Sequence, residues 1–175
     1  EKESSIAETV RTSGVTWISD INEFGIPKEC YNPIKKFSFC SPKNYVTITD
    51  NVAKAAVLDV RKTYRFLATR SKSSGSELFT GTNVSEVLKN SAGKCVGVVA
   101  KSQGKLIQFN AKVVIDASGF TSIVAKELGY VTQWKKFGAG AEFEVKTEKL
   151  EYDNWWLMVG QEYSPAGYEW IFPTS

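Results

Sequence analysis

Two stretches of the sequence carry residue types and spacings that could meet a ligand. VVIDASGFTSIVAKELG, residues 113–129, reads as a strand ending in Asp116, a small turn over Ala117 to Gly119, and a helix opening near Thr121 and Ser122. Free backbone N–H groups at such a helix start, above a strand end, suit a phosphate or a polar cofactor chain. The same grammar also describes a plain strand-to-helix connection with Ser122 as N-cap. PAGYEWIFP, residues 165–173, alternates Tyr168, Trp170 and Phe172 ahead of Pro173. An extended strand sends alternate side chains to one face, so the three rings should stand side by side. Rings of this kind bury an apolar ligand without hydrogen-bond demands, or pack on a core.

Other chemistries are missing. The chain has no histidine, which removes Ser/His/Asp triads, Cys/His dyads and HExxH zinc sites together. Its three cysteines, Cys30, Cys40 and Cys95, are odd in number, widely spaced and without CxxC. That pattern speaks against a zinc site or a disulfide framework, so no metal is expected and a reducing cytoplasmic setting fits best. A net charge of +3 from 22 basic and 19 acidic residues gives no electrostatic reason for a nucleic-acid partner. The densest basic run, Lys62 to Lys72, is spaced like the solvated side of a helix.

The elements that must position these residues follow from periodicity and turn chemistry. At 175 residues and 42% hydrophobic content the chain can build a real core. WISDINEFG reads as a short helix closed by Gly25. IKKFSFCS and NYVTITD alternate and meet at Pro42 to Asn44, an antiparallel hairpin. Asp59 to Ser73 is helical in pattern, with Val60, Tyr64, Leu67 and Ala68 as its apolar stripe. TNVSEVLK, KCVGVVAKSQ and KLIQFNAKVVID, separated by NSAG and QGK, predict a three-stranded meander whose last run, AKVVID, is buried on both faces. IVAKELG should be a helix, and GAEFEVK, WWLMVG and GYEWIFP aromatic-rich strands. No apolar run is long enough to span a membrane and no leader is evident. The fold class expected is α+β, a helix and meander interleaved with an antiparallel sheet.

Recognition adds to this. VVIDASGFTSIVAKELG resembles the second FAD-binding motif of flavoprotein hydroxylases and reductases. Gly119 and Ser122 match its glycine and serine, whereas Ser118 and Ala125 stand where hydroxylases carry Asp and Arg. PAGYEWIFP matches the PxxYxWxFP pattern of geranylgeranyl reductases at all five fixed positions. Glu1 resembles the acid that ends the second strand of a Rossmann unit and holds the adenosine ribose. Glu8 and Arg11 resemble the Glu and Arg that follow it, and Val84 the valine whose backbone reads adenine. The resemblance spans nearly the whole chain.

The resemblance implies FAD as cofactor, with Glu1, Arg11, Val84, Asp116, Ala117 and Gly119 on its side of the site. It implies a prenyl lipid substrate against Tyr168, Trp170, Phe172 and Pro173. It also implies an electron donor, NAD(P)H or ferredoxin, and leaves peripheral membrane contact open. The expected organisation is a remnant of the FAD-binding domain at 1–25, substrate-domain strands at 26–57, FAD-binding helix, meander and strand-turn-helix at 58–133, and substrate-domain strands at 134–175. No GxGxxG turn is present, since GAGAEF has Phe143 where the last glycine belongs, and no Gly-Asp segment follows the aromatic strand. The chain therefore reads as the middle of a longer flavoprotein that alone would hold FAD weakly or not at all. Two other readings stay open: a flavin-dependent monooxygenase or halogenase, and a non-enzymatic prenyl-lipid-binding module. No residue stands out as catalytic.

Overall fold

The computed structural model describes residues 1–130 and 135–174. In chain order its elements are β1 (Val15–Trp17), α1 (Ile18–Phe24), β2 (Tyr31–Ile34), β3 (Lys36–Cys40), β4 (Tyr45–Thr49), β5 (Ala55–Leu58), α2 (Val60–Ser73), β6 (Thr82–Lys89), β7 (Cys95–Ser102), β8 (Lys105–Asn110), α3 (Ile123–Glu127), β9 (Asn154–Val159) and β10 (Tyr168–Ile171). They fall into two compact units, one of residues 1–8 and 76–141, the other of residues 9–75 and 142–175.

These units divide the chain differently from the boundaries drawn on the sequence. Residues 9–25 and 58–75 pack with the strands of 26–57, and the backbone bonding says why. β1 pairs with β5, Leu58 N donates to Gly14 O at 2.9 Å, and Asp59 N donates to Cys30 O at 2.8 Å. Short strands anchor both segments there, and three- or four-residue strands leave little periodicity to read. The boundary expected at 133 and 134 lies outside the described residues.

The larger unit holds two sheets. One is antiparallel in the order β1-β5-β2, and its central strand supplies the core: Ala55, Ala56 and Val57 are at most 1% exposed, and Ile21, Cys30, Ile34 and Val60 are further buried apolar side chains of this unit. α1 ends as expected, with Gly25 in the left-handed region at φ 60°. Asp59 caps α2 by accepting from Lys62 N at 3.0 Å. The packed face of α2 differs from the expected stripe. Val60 and Thr63 are buried, while Tyr64 and Leu67 stay exposed. Thr63 faces inward because its hydroxyl donates to the Cys30 carbonyl at 3.2 Å, which satisfies a polar group inside the core.

The second sheet runs β10-β9-β3-β4. The β3–β4 hairpin has the predicted turn, with Cys40 opposite Tyr45. β9 lies parallel to β3, Lys36 beside Asn154, so a sheet expected to be antiparallel is mixed. Nothing local fixes the direction of two strands so far apart in the chain.

The smaller unit is the predicted meander, β6-β7-β8, antiparallel throughout. Gly97 is required where β7 passes β8, since a Cβ there would stand 2.1 Å from Phe109 O. Two expected strands are absent. Residues 112–116 form no strand, and Val113 and Ile115 are 76% and 85% exposed rather than buried. Residues 140–146 are likewise without ladder partners, with Phe143 and Val145 exposed. An apolar run becomes a strand only beside another strand, and none lies beside either among the described residues.

Candidate functional site

Two features meet the chemistry sought in the sequence, one in each unit. The first is a cavity of about 290 Å³ in the smaller unit, lined by Glu1, Ile6, Glu77, Leu78, Phe79, Thr82, Val84, Ala100 and Phe109. Its wall is stiffened by Phe79 edge-on to Phe109, ring centroids 5.0 Å apart. Residues 1–3 are laid against this wall by backbone bonds from Thr82 N to Glu1 O at 2.8 Å and from Gly81 N to Glu3 O at 2.7 Å. That pairing carries the Glu1 carboxylate to the rim. Its Oε1 accepts from Glu3 N at 3.0 Å, and among the described residues nothing donates to Oε2. A bulge interrupts the β6–β7 ladder between Val84 and Glu86, and bulges release backbone groups from regular pairing. Glu1 and Val84, far apart in sequence, thus share one cavity whose floor is apolar and whose rim is acidic. An apolar floor with a carboxylate at its edge can take a flat apolar ring and accept a hydrogen bond from a hydroxyl.

The other residues of the expected cofactor set lie elsewhere. Arg11 is exposed and belongs to the larger unit. Glu8 is bound within its own turn, accepting from Ser4 Oγ at 2.7 Å and Ser4 N at 2.9 Å, and these bonds, the hydroxyl's first, hold its carboxyl below the usual range. Asp116, Ala117 and Gly119 form an exposed loop. The Asp116 carboxylate is engaged inside that loop. Oδ1 accepts from Ser118 Oγ at 2.6 Å and Ser118 N at 3.0 Å, and Oδ2 from Ala125 N at 2.9 Å. The Ser118 hydroxyl and then the backbone donors hold this carboxyl below its ordinary value. Asp116 therefore caps α3 from a distance, a task the sequence suggested for Ser122. Ser122 instead takes φ 45° and gives its hydroxyl to Gly119 O at 3.1 Å.

The second feature is an aromatic ladder on one face of the β10-β9-β3-β4 sheet. Tyr168 and Trp170 have centroids 5.8 Å apart, Trp170 and Phe172 6.2 Å, so the three rings stand side by side as the alternation predicts. The register carries the row on into β9 and β3: Phe172 meets Trp155 at 5.4 Å, and Trp155 meets Phe37 edge-on at 5.0 Å. Leu157 opposes Trp170, and Ile48 and Val46 of β4 oppose Phe37 and Phe39 on the same side. Much of this face is open. Val46 and Ile48 are each 54% exposed and Tyr168 55%. Pro173 is buried, and its carbonyl accepts from Asn32 Nδ2 at 2.9 Å, which ties the end of β10 to β2. Sequence reasoning missed Trp155 and Phe37. The signal was the period of two in WWLMVG and KFSFC, but joining them needs the parallel β3–β9 register. The Trp155 Nε1 is buried and, among the described residues, has no hydrogen-bond partner.

Among the described residues no cluster of His, Cys, Asp and Glu could hold a metal ion, and no helix is long and apolar enough to cross a membrane. No protein-family model matches the chain. Its sequence is 30% identical over 180 residues to the digeranylgeranylglycerophospholipid reductase of Methanocaldococcus jannaschii, covering 99% of this chain and 45% of that protein. It is a relative of the geranylgeranyl reductases. The reductase of the same name from Methanocella arvoryzae is 28% identical over 99% of this chain. A geranylgeranyl bacteriochlorophyll reductase-like protein of Thermoplasma acidophilum superposes with a TM-score of 0.80 at 22% identity, over 100% of this chain and 46% of its own. A flavin-dependent brominase shares the fold less closely, at TM-score 0.61 and 20% identity over 90% of this chain and 42% of its own. The chain spans about 45% of the length of the curated relatives it matches end to end. Its fold is that of a partial α+β flavoprotein in the geranylgeranyl reductase style.

Proposed function

We propose that this chain is the central part of an FAD-dependent reductase that saturates prenyl double bonds of a lipid. The observation that carries the reading is the unbroken ladder from Tyr168 to Phe37, set on an open face that continues into aliphatic Val46 and Ile48. A polyprenyl chain has no hydrogen-bonding groups along its length, and rings and methyls are what can take it out of water. The names of the relatives support a prenyl lipid over a polar substrate. Trp170, Phe172 and Trp155 would hold and align the chain and exclude water around it, and Pro173 would fix the strand that presents them.

The cavity suits the cofactor at its adenosine end. Glu1 would accept from a ribose hydroxyl, and the backbone beside the bulge that follows Val84 would meet the base. Asp116 would act on the loop at Ala117 and Gly119 by holding its shape. When bound, reduced FAD supplies a hydride equivalent, which together with one proton saturates the double bond. NAD(P)H or ferredoxin would recharge it. A cytoplasmic enzyme in peripheral contact with a membrane, where such lipids reside, completes the reading.

The experiment is the visible absorption spectrum of the protein made from the whole reading frame that encodes this chain, followed by mass spectrometry of a geranylgeranyl lipid incubated with it under reductant. A flavin spectrum and a gain of two hydrogens per reduced bond are expected. A folded, colourless protein that still retains prenyl lipid would overturn the enzyme and favour a lipid-binding module.

A further inference from the structure

We infer that the phenol of Tyr168 is the proton donor for this reduction, an inference that rests on the prenyl reductase reading. Saturating an isolated double bond forms two C–H bonds. One takes a hydride from the reduced flavin, and the other takes a proton, with the flavin oxidised by two electrons. Within this chain, the place for such a donor is the side of the sheet that would hold the alkene. The chain has no histidine to serve.

The register sorts the remaining candidates by face. Ser38, Tyr45 and Thr47 lie on the opposite face and spend their hydroxyls on one another, Ser38 Oγ being 2.8 Å from Thr47 Oγ1 and 3.1 Å from Tyr45 OH. Cys40 and Glu169 fall on that opposite face as well, by the alternation along β3 and β10. On the aromatic face the other groups are hydrocarbon or indole, and indole is not an acid. Tyr168 is left. Its ring is held at the end of the ladder by Trp170, 5.8 Å away, and among the described residues its hydroxyl has no hydrogen-bond partner. At 55% exposure it touches solvent as well as the apolar row. In the proposed step the Tyr168 O–H breaks, its proton forms a C–H bond on one alkene carbon as hydride adds to the other, and water reprotonates the phenolate.

The test is Tyr168→Phe in the full-length, flavin-loaded protein, which keeps the ring and deletes only the hydroxyl. Turnover of a geranylgeranyl lipid should fall about 100-fold or more, the usual reach of a general acid. KM should stay within about twofold. Titration of flavin-free protein with the same lipid, read by tryptophan fluorescence, should give an unchanged affinity. Turnover that survives the substitution overturns the donor role alone. A loss of affinity matching the loss of turnover overturns it too, by making Tyr168 a binding group. Wild-type protein that loads flavin yet leaves the lipid unreduced overturns the parent reading, and the donor role with it.

Discussion

Along β3, Phe37 and Phe39 point to one side of the four-stranded sheet while Lys36, Ser38 and Cys40 point to the other, and the two sides are built on different physics. The first is a row of rings in edge-on and tilted contact, with almost no polar atoms and much of its area open. The second is built around a buried polar centre. Ser38 is 0% exposed and bonds Thr47, Tyr45 and, at 3.1 Å, Asn154 Oδ1, and Asn154 is itself 2% exposed. Buried hydroxyls and amides fix a register because each needs a particular partner. Apolar rings need none, so the same strands can leave the ring side free for a ligand. The polar face holds the sheet in register and the aromatic face is available for function.

The largest effect should come from the middle of the ladder. Trp155 touches both Phe37 and Phe172, so Trp155→Ala should cost about 3 kcal/mol of unfolding free energy, the low end for a large aromatic because this one is only half-buried. Trp155→Phe tells ring from nitrogen. It keeps most of the stacking and removes an N–H that is buried without a partner, so it should cost under about 1 kcal/mol. Denaturant unfolding followed by near-UV circular dichroism measures both. Equal losses would mean that the indole, and not the row of rings, is what the face requires.

On the polar face, Ser38→Ala strands the Asn154 carbonyl oxygen in the core and should cost about 2 kcal/mol. Combining it with Asn154→Leu removes both partners and should recover most of that loss. Were the double substitution worse than the single, Asn154 would have a role beyond answering Ser38.

The comparison also explains what could be read without a structure. Tyr168, Trp170 and Phe172 were legible as a face because alternation is a property of one strand. The β3–β4 hairpin and the β6–β8 meander were legible because their turns, at Pro42 to Asn44, Asn90 to Gly93 and Gln103 to Lys105, are chemical signals a few residues long. Trp155 and Phe37 were not legible as neighbours, since a parallel pairing of distant strands leaves no local mark. The run at 112–116 was misread for the complementary reason. Its apolar residues state what kind of partner it would take, and the described residues provide none, so it remains extended and exposed. Glu1 and Val84 were drawn to one cavity only through resemblance. The backbone bonding of residues 1–3 to 81–82 that joins them has no counterpart in periodicity.

The smallest effect tests the rim of the polar face. Lys36, on the same side of β3 as Ser38, lies 3.1 Å from Glu151 and 3.4 Å from Asp153. The Glu151 hydrogen bond, reinforced by the charge of Asp153, raises the Lys36 ammonium above its ordinary pKa. A group whose folded value is raised contributes stability that is fully present below the unfolded value and is lost as pH rises through the folded one. Stability should therefore decline slightly in the alkaline range above the ordinary lysine value. Salt should blunt the decline, because the pair is open to solvent. Lys36→Met should remove it while leaving the neutral-pH unfolding midpoint nearly unchanged. If Lys36→Met instead destabilised the protein as much as Ser38→Ala, the ion pair would have to be counted with the buried network and not as its solvated edge.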